Sequence, residues 1–67
     1  MKIFCERLKD LRAESGLSAK KLSKEIGVSD STIIRWENGD RVPSIDNLYS
    51  LAVYFRVTSD YLIGLED

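Results

Sequence analysis

The chain has 67 residues, with Lys+Arg 10 against Asp+Glu 11 for a formal charge of −1, so it is one small domain and not a polycation that coats nucleic acid by bulk charge. At 43% hydrophobic and 31% charged residues it has the composition of a soluble, folded chain. A single cysteine, Cys5, and no histidine exclude an intrachain disulfide framework and a Cys/His zinc site, and the absence of any long apolar run or signal peptide points to the cytoplasm.

A chain this short, with no covalent or metal staple, needs dense local structure, and its apolar period is helical almost throughout. Phe4, Leu8 and Leu11 stand at i, i+4, i+7, with Arg7, Lys9, Asp10 and Glu14 opposite. Gly16 is placed to stop this first helix, and Leu17 follows as a core plug. Ser18 reads as the N-cap of a second helix with Leu22 and Ile26 inward and Gly27 as its stop. Ser29 caps a third, where Val28 and Ile33 have the spacing of a hydrophobic staple. That helix buries Ile33 and Trp36 and closes at Asn38-Gly39. After the polar bend Asp40-Arg41-Val42-Pro43, Ser44 caps a fourth helix with the stripe Leu48, Leu51, Ala52 and Phe55. A short fifth helix starts at Thr58, where Val57 and Leu62 repeat the staple spacing, and stops near Gly64. The expected fold class is all-α: a compact five-helix domain over residues 1–67 with no linker.

Catalytic machinery is not expected. The chain has no histidine, no glycine-rich phosphate loop and no nucleophile elbow. Glu6, Asp10 and Asp40 sit among basic neighbours in exposed patterns, as solvated faces do. Cys5 reads as a small, partly buried apolar residue. No cofactor, metal or small-molecule ligand is expected, because nothing in so short a chain houses a sensing domain.

The informative stretch runs over residues 18–38. Two short helices are separated only by Gly27-Val28-Ser29, which is the helix-turn-helix geometry. On a helical wheel Ser29, Ile33, Trp36 and Glu37 point one way, while Ser31 and Arg35 point the opposite way with Ile34, Thr32 and Asn38 on the flanks. Short polar groups with one Arg and one Ile suit a DNA major groove, where Arg35 can pair with a guanine and Ile34 can touch a thymine methyl. An ordinary solvated helix face has the same composition. Lys20, Lys21 and Lys24 stand in the first turns of the second helix, where the helix dipole disfavours cations by ~0.3–1 kcal/mol each. A bound phosphate offsets that cost. Charge is also segregated: residues 1–41 carry +2 and residues 42–67 carry −3, so the half with the helix-turn-helix is the basic one.

Glu6-Arg7-Leu8-Lys9-Asp10-Leu11-Arg12, Gly16-Leu17-Ser18, Gly27-Val28-Ser29, Thr32-Ile33, Arg35-Trp36-Glu37-Asn38-Gly39, Pro43-Ser44 and Asp60-Tyr61-Leu62 resemble the Cro/C1-type (xenobiotic-response-element) helix-turn-helix family, the DNA-binding domains of phage repressors and many bacterial regulators. The resemblance covers nearly the whole chain and implies a third helix that reads bases through Asp30, Ser31, Ile34 and Arg35. It implies phosphate contacts from Ser18, Ala19, Lys20, Lys21 and Lys24 at the second helix, and from Asn38, Gly39 and Arg41. It further implies a structural ion pair between Arg12 and Glu37.

Four departures from the family pattern stand out, the last at two adjacent residues. Ala19 stands where Gln usually grips a phosphate and braces the recognition helix. Asp30 puts a carboxylate at the end entering the groove. Arg56 replaces a common Gly after the fourth helix, and Val53 and Tyr54 replace charged or small residues. Tyr49, Val53 and Tyr54 lie toward the outside near the final helix, and the expectation is a homodimer built from the fourth and fifth helices plus the tail, which would set two recognition helices about one DNA turn apart. The expected function is a sequence-specific DNA-binding transcriptional regulator of bacterial or phage origin, a repressor occupying an operator. The rival readings are the antitoxin of a toxin–antitoxin pair and a protein-interaction module of the same fold with weak DNA binding. Stand-alone protein and N-terminal domain of a longer regulator both fit the chain.

Overall fold

A computed structural model describes residues 1–67 as five helices: α1 (Lys2–Glu14), α2 (Ala19–Ile26), α3 (Asp30–Asn38), α4 (Ile45–Phe55) and α5 (Ser59–Ile63). The expected all-α class holds, and each helix lies where the period placed it. From α2 onward every helix begins on a hydroxyl. Ser18, Ser29, Ser44 and Thr58 accept from the backbone N–H of Lys21, Thr32, Asn47 and Tyr61 at 3.0, 3.2, 3.1 and 3.0 Å. Each such cap stabilises its helix by about 1 kcal/mol, which matters in helices too short to persist alone.

The ends are as clearly marked. Gly27 at φ 83° and Gly39 at φ 83° close α2 and α3 in the left-handed region, which glycine enters without the clash a Cβ brings. Arg56 closes α4 at φ 57°, ψ 44°, so the turn keeps the shape a glycine would give it although an arginine stands there. It is the single non-glycine residue with positive φ, a conformation that costs roughly 1–2 kcal/mol for a residue with a side chain.

The core is one cluster: Phe4 and Leu8 from α1, Leu22 from α2, Ile33 and Trp36 from α3, Leu51 and Ala52 from α4, and Leu62 from α5. Leu11, Leu17, Val28, Phe55 and Val57 pack around it, so the expected plug at Leu17 and both staple residues preceding a cap lie against the interior. Phe4 meets Trp36 edge to face, with ring centroids 6.4 Å apart and planes at 73°. α1 crosses both α3 and α5, and α4 rests on α2 and α5. No helix is long and apolar enough to cross a membrane.

A clasp joins the two ends of the chain. Arg7 donates to the carbonyl of Tyr61 and, at 2.6 Å, to that of Glu66. Its guanidinium also lies over the Tyr61 ring, 4.3 Å from the centroid, where the negative ring face attracts it. Arg7 thus holds α5 and the tail onto α1, away from the outer side of α3.

Candidate nucleic-acid interface

The geometry of α3 follows from what it buries. Ile33, Trp36 and Glu37 face inward, and Asp30, Ser31, Ile34, Arg35 and Asn38 are exposed. Nothing from the rest of the chain covers that outer side. The helix is fixed in rotation by a two-pronged pair beneath it: Arg12 Nε meets Glu37 Oε2 at 2.6 Å and Nη2 meets Oε1 at 2.9 Å. Arg12 Nη1 also donates to the carbonyl of Leu17 at 2.9 Å. One side chain of α1 therefore sets both the recognition helix and the entrance to α2. Glu37 is 7% exposed and Arg12 26%. The hydrogen bond to Glu37 raises the Arg12 pKa above its ordinary value, opposed by burial and reinforced by the carboxylate charge. The guanidinium therefore stays charged under all ordinary conditions.

The reading face is partly organised in advance. The Ser29 hydroxyl, which caps α3, lies 3.0 Å from that of Ser31 and 2.8 Å from that of Thr32. The Ser31 hydroxyl is thus already engaged within the chain, whereas the side chains of Ile34 and Arg35 are exposed. Asp30 occupies the first turn of α3, where its charge suits the helix dipole.

Exposed lysines and helix-end amides able to meet an anion flank this face on two sides. At the start of α2 the Ser18 hydroxyl is committed to its cap, and the first amides of the helix, those of Ala19 and Lys20, have no partner within a helix. Ala19 packs its methyl against the core, so only its backbone N–H is available to an anion. Lys20 and Lys24 are exposed, while Lys21 leans toward Glu25, its ammonium 3.8 Å from the carboxylate. At the far end of α3 the amides of Asp40 and Arg41 donate to the carbonyl of Arg35, at 2.9 and 3.4 Å. This folds the bend back and keeps Arg41 beside Asn38 and Gly39.

Two residues of this surface escaped the sequence reading. A groove of ≈ 410 Å³ between the start of α1 and the end of α3 is lined by Lys2 and Lys9, by Glu6 and Glu37, and by Asn38 and Gly39, so its two lysines share it with two carboxylates. Their signal is the i, i+7 spacing of Lys2 and Lys9 on the side of α1 that carries Arg12. That side gains meaning only once α1 is seen to cross the end of α3. Gly39 approaches α1 closely, since a Cβ there would lie 3.5 Å from Cys5 Sγ. Cys5 itself is buried, its thiol 2.8 Å from the Met1 carbonyl.

An α2 that buries Leu22 and Ser23, an α3 with its outer side uncovered and a tight glycine turn between them define a helix-turn-helix domain. The chain belongs to the Cro/C1-type helix-turn-helix family: a family model described as helix-turn-helix matches residues 8–62. It is 34% identical over 65 residues to the HTH-type transcriptional regulator YobD of Bacillus subtilis (strain 168), covering 97% of this chain and 58% of that protein. It is 29% identical over 62 residues to the cryptic phage CTXphi transcriptional repressor RstR of Vibrio cholerae, covering 92% of this chain and 56% of the other. The chain thus spans little more than half the length of either relative. Among solved structures, the P22 c2 repressor in complex with synthetic operator 9T overlays with a TM-score of 0.87 at 29% identity, over 92% of this chain and 94% of that one.

Proposed function

We propose that the chain is a sequence-specific DNA-binding transcriptional regulator, a repressor that acts by occupying an operator and needs neither a cofactor nor a chemical step. The observation that carries this reading is the outer side of α3. It is uncovered, polar except for Ile34, and held in rotation from below by Arg12 and Glu37. Asp30, Ser31, Ile34 and Arg35 face the bases. The start of α2 and the Asn38–Arg41 bend, with Lys2 and Lys9 beside it, take phosphates on either side. The names of the relatives, regulators and a phage repressor, support this over the antitoxin and interaction-module readings. A net +2 over residues 1–41 is a weak field, so affinity rests on a few placed contacts and on two copies bound about one DNA turn apart.

Selection of bound duplexes from random DNA, followed by salt titration on the selected site, tests this. Affinity is expected to fall steeply with salt, in proportion to the phosphates neutralised. Arg35→Ala should cost about 1–3 kcal/mol and relax preference at one base pair. Lys20→Ala, the cleaner choice because Lys21 has Glu25 as a neighbour, should weaken binding to all sequences alike and lower the salt slope by about 1. Failure to select any duplex in dilute buffer would overturn the reading.

A further inference from the structure

The hydroxyls of Ser29, Ser31 and Thr32 meet at the start of α3. Ser29 Oγ lies 3.0 Å from Ser31 Oγ and 2.8 Å from Thr32 Oγ1, and it accepts from the Thr32 amide at 3.2 Å. Ser31 is exposed on the outer side of the helix, whereas Thr32 is half-buried.

A hydroxyl has one proton to give and two lone pairs to receive with. The Thr32 amide takes one lone pair of Ser29, which leaves Ser29 the other lone pair and its own proton. One neighbouring hydroxyl must therefore donate to Ser29, and the other must accept from it. If Ser31 donates, Ser29 donates on to Thr32, and Ser31 turns only lone pairs outward. The proton of Thr32 then has no acceptor in the chain, since Ser29 is the partner of that hydroxyl. If Thr32 donates instead, Ser29 donates to Ser31, and Ser31 keeps its own proton for the outside. A half-buried donor without an acceptor is the costlier defect, so the second order is favoured.

We propose that Thr32 is a positioning residue for base recognition, which makes the Ser31 hydroxyl a donor toward the DNA. The inference rests on the reading of α3 given above and adds what Ser31 selects. In the major groove guanine offers acceptors at N7 and O6, thymine at O4 and adenine at N7. Cytosine offers only its N4 amine, a donor. A Ser31 proton held against that amine has no acceptor, so the position read by Ser31 excludes cytosine on the strand it faces. Thr32 acts on that base through Ser29 and Ser31.

Duplex selection with the original chain and its variants, each used well below its melting temperature, tests this. Ser31→Ala marks the position, as the one where its profile departs from the original. There the original should hold cytosine about fivefold below the other bases. Thr32→Val keeps the branched shape but removes the hydroxyl, so Ser31 is free to donate to Ser29 and turn lone pairs outward. It should readmit cytosine by about fivefold and leave the position set by Arg35 unchanged. Thr32→Ser keeps the hydroxyl and should keep cytosine out. Adding Thr32→Val to Ser31→Ala should change nothing further, because the chain of hydroxyls has lost its outer end. Cytosine accepted by the original, or still excluded by Thr32→Val, would overturn the proposal, while a preference lost in Arg35→Ala would uphold the reading of α3. A Ser31→Ala profile identical to the original would have the same consequence. No duplex selected in dilute buffer would sink both.

Discussion

Replacing Arg12 by alanine is expected to cost about 3–5 kcal/mol of folding stability, measured by urea unfolding. The pair is asymmetric. Glu37 is 7% exposed while Arg12 keeps 26%, so losing the arginine strands a buried carboxylate and leaves the Leu17 carbonyl without its donor. Losing the glutamate instead strands a guanidinium that can turn toward water, and Glu37→Ala should cost less, about 1–3 kcal/mol. A chain of this size has roughly 3–10 kcal/mol in total, so Arg12→Ala alone brings the domain close to its unfolding midpoint. Arg12→Met with Glu37→Leu should recover most of the loss, since a packed apolar pair needs no desolvation of charge. The sign of any pH effect is fixed as well. A cation whose folded pKa is raised contributes fully below its unfolded value and loses that contribution only as pH climbs through the folded one. For Arg12 that lies in strong alkali, so its guanidinium adds no slope to stability near neutrality.

Trp36→Ala should be comparably severe, about 3–5 kcal/mol, through the cavity it opens between α1 and α3. Trp36 is 2% exposed and meets Phe4 edge-on, so few neighbours can collapse into the space without moving α3 itself. Far-UV circular dichroism should find this variant largely unfolded at 37 °C. Trp36→Phe keeps much of the contact, and its loss should be less than half as large. Below its own melting temperature the Phe variant should bind DNA within about threefold of the original, because position 36 faces the core and not the groove. A large loss of affinity in a fully folded Phe variant would show that α3 is aimed by packing more finely than the Arg12–Glu37 pair suggests.

What the residues revealed in advance, and what they hid, divides along a physical line. Caps and stops are local chemistry within three or four positions, so Ser18, Ser29, Ser44, Thr58 and the glycine turns were readable from the chain alone. So was the inward stripe of each helix. The approach of Arg12 to Glu37 came only through the family likeness, because two charged residues 25 positions apart carry no periodic signal. The Arg7 clasp on Tyr61 and Glu66 was not foreseen for the same reason. Fine adjustments on the DNA-facing surface were equally hidden. That Ser31 shares its hydroxyl with Ser29, that Lys21 leans on Glu25 and that Ala19 offers only its amide depend on rotamers, which spacing does not set. The place of Lys2 and Lys9 beside Asn38 and Gly39 follows from the crossing of α1 over the end of α3.

The hydroxyl caps and left-handed stops have a kinetic side. Because every helix boundary after α1 is written beside the helix it bounds, each segment can reach its native limits before distant parts of the chain meet. The α2–α3 hairpin, closed by a three-residue turn, needs only local contacts to form. Joining α1 to α5 is the step that brings the most remote segments together, after α1 meets α3 and α4 meets α2. Low contact order of this kind gives folding in microseconds to milliseconds, so a newly made or transiently opened copy should regain its binding surface far faster than it meets a protease or a misfolded neighbour.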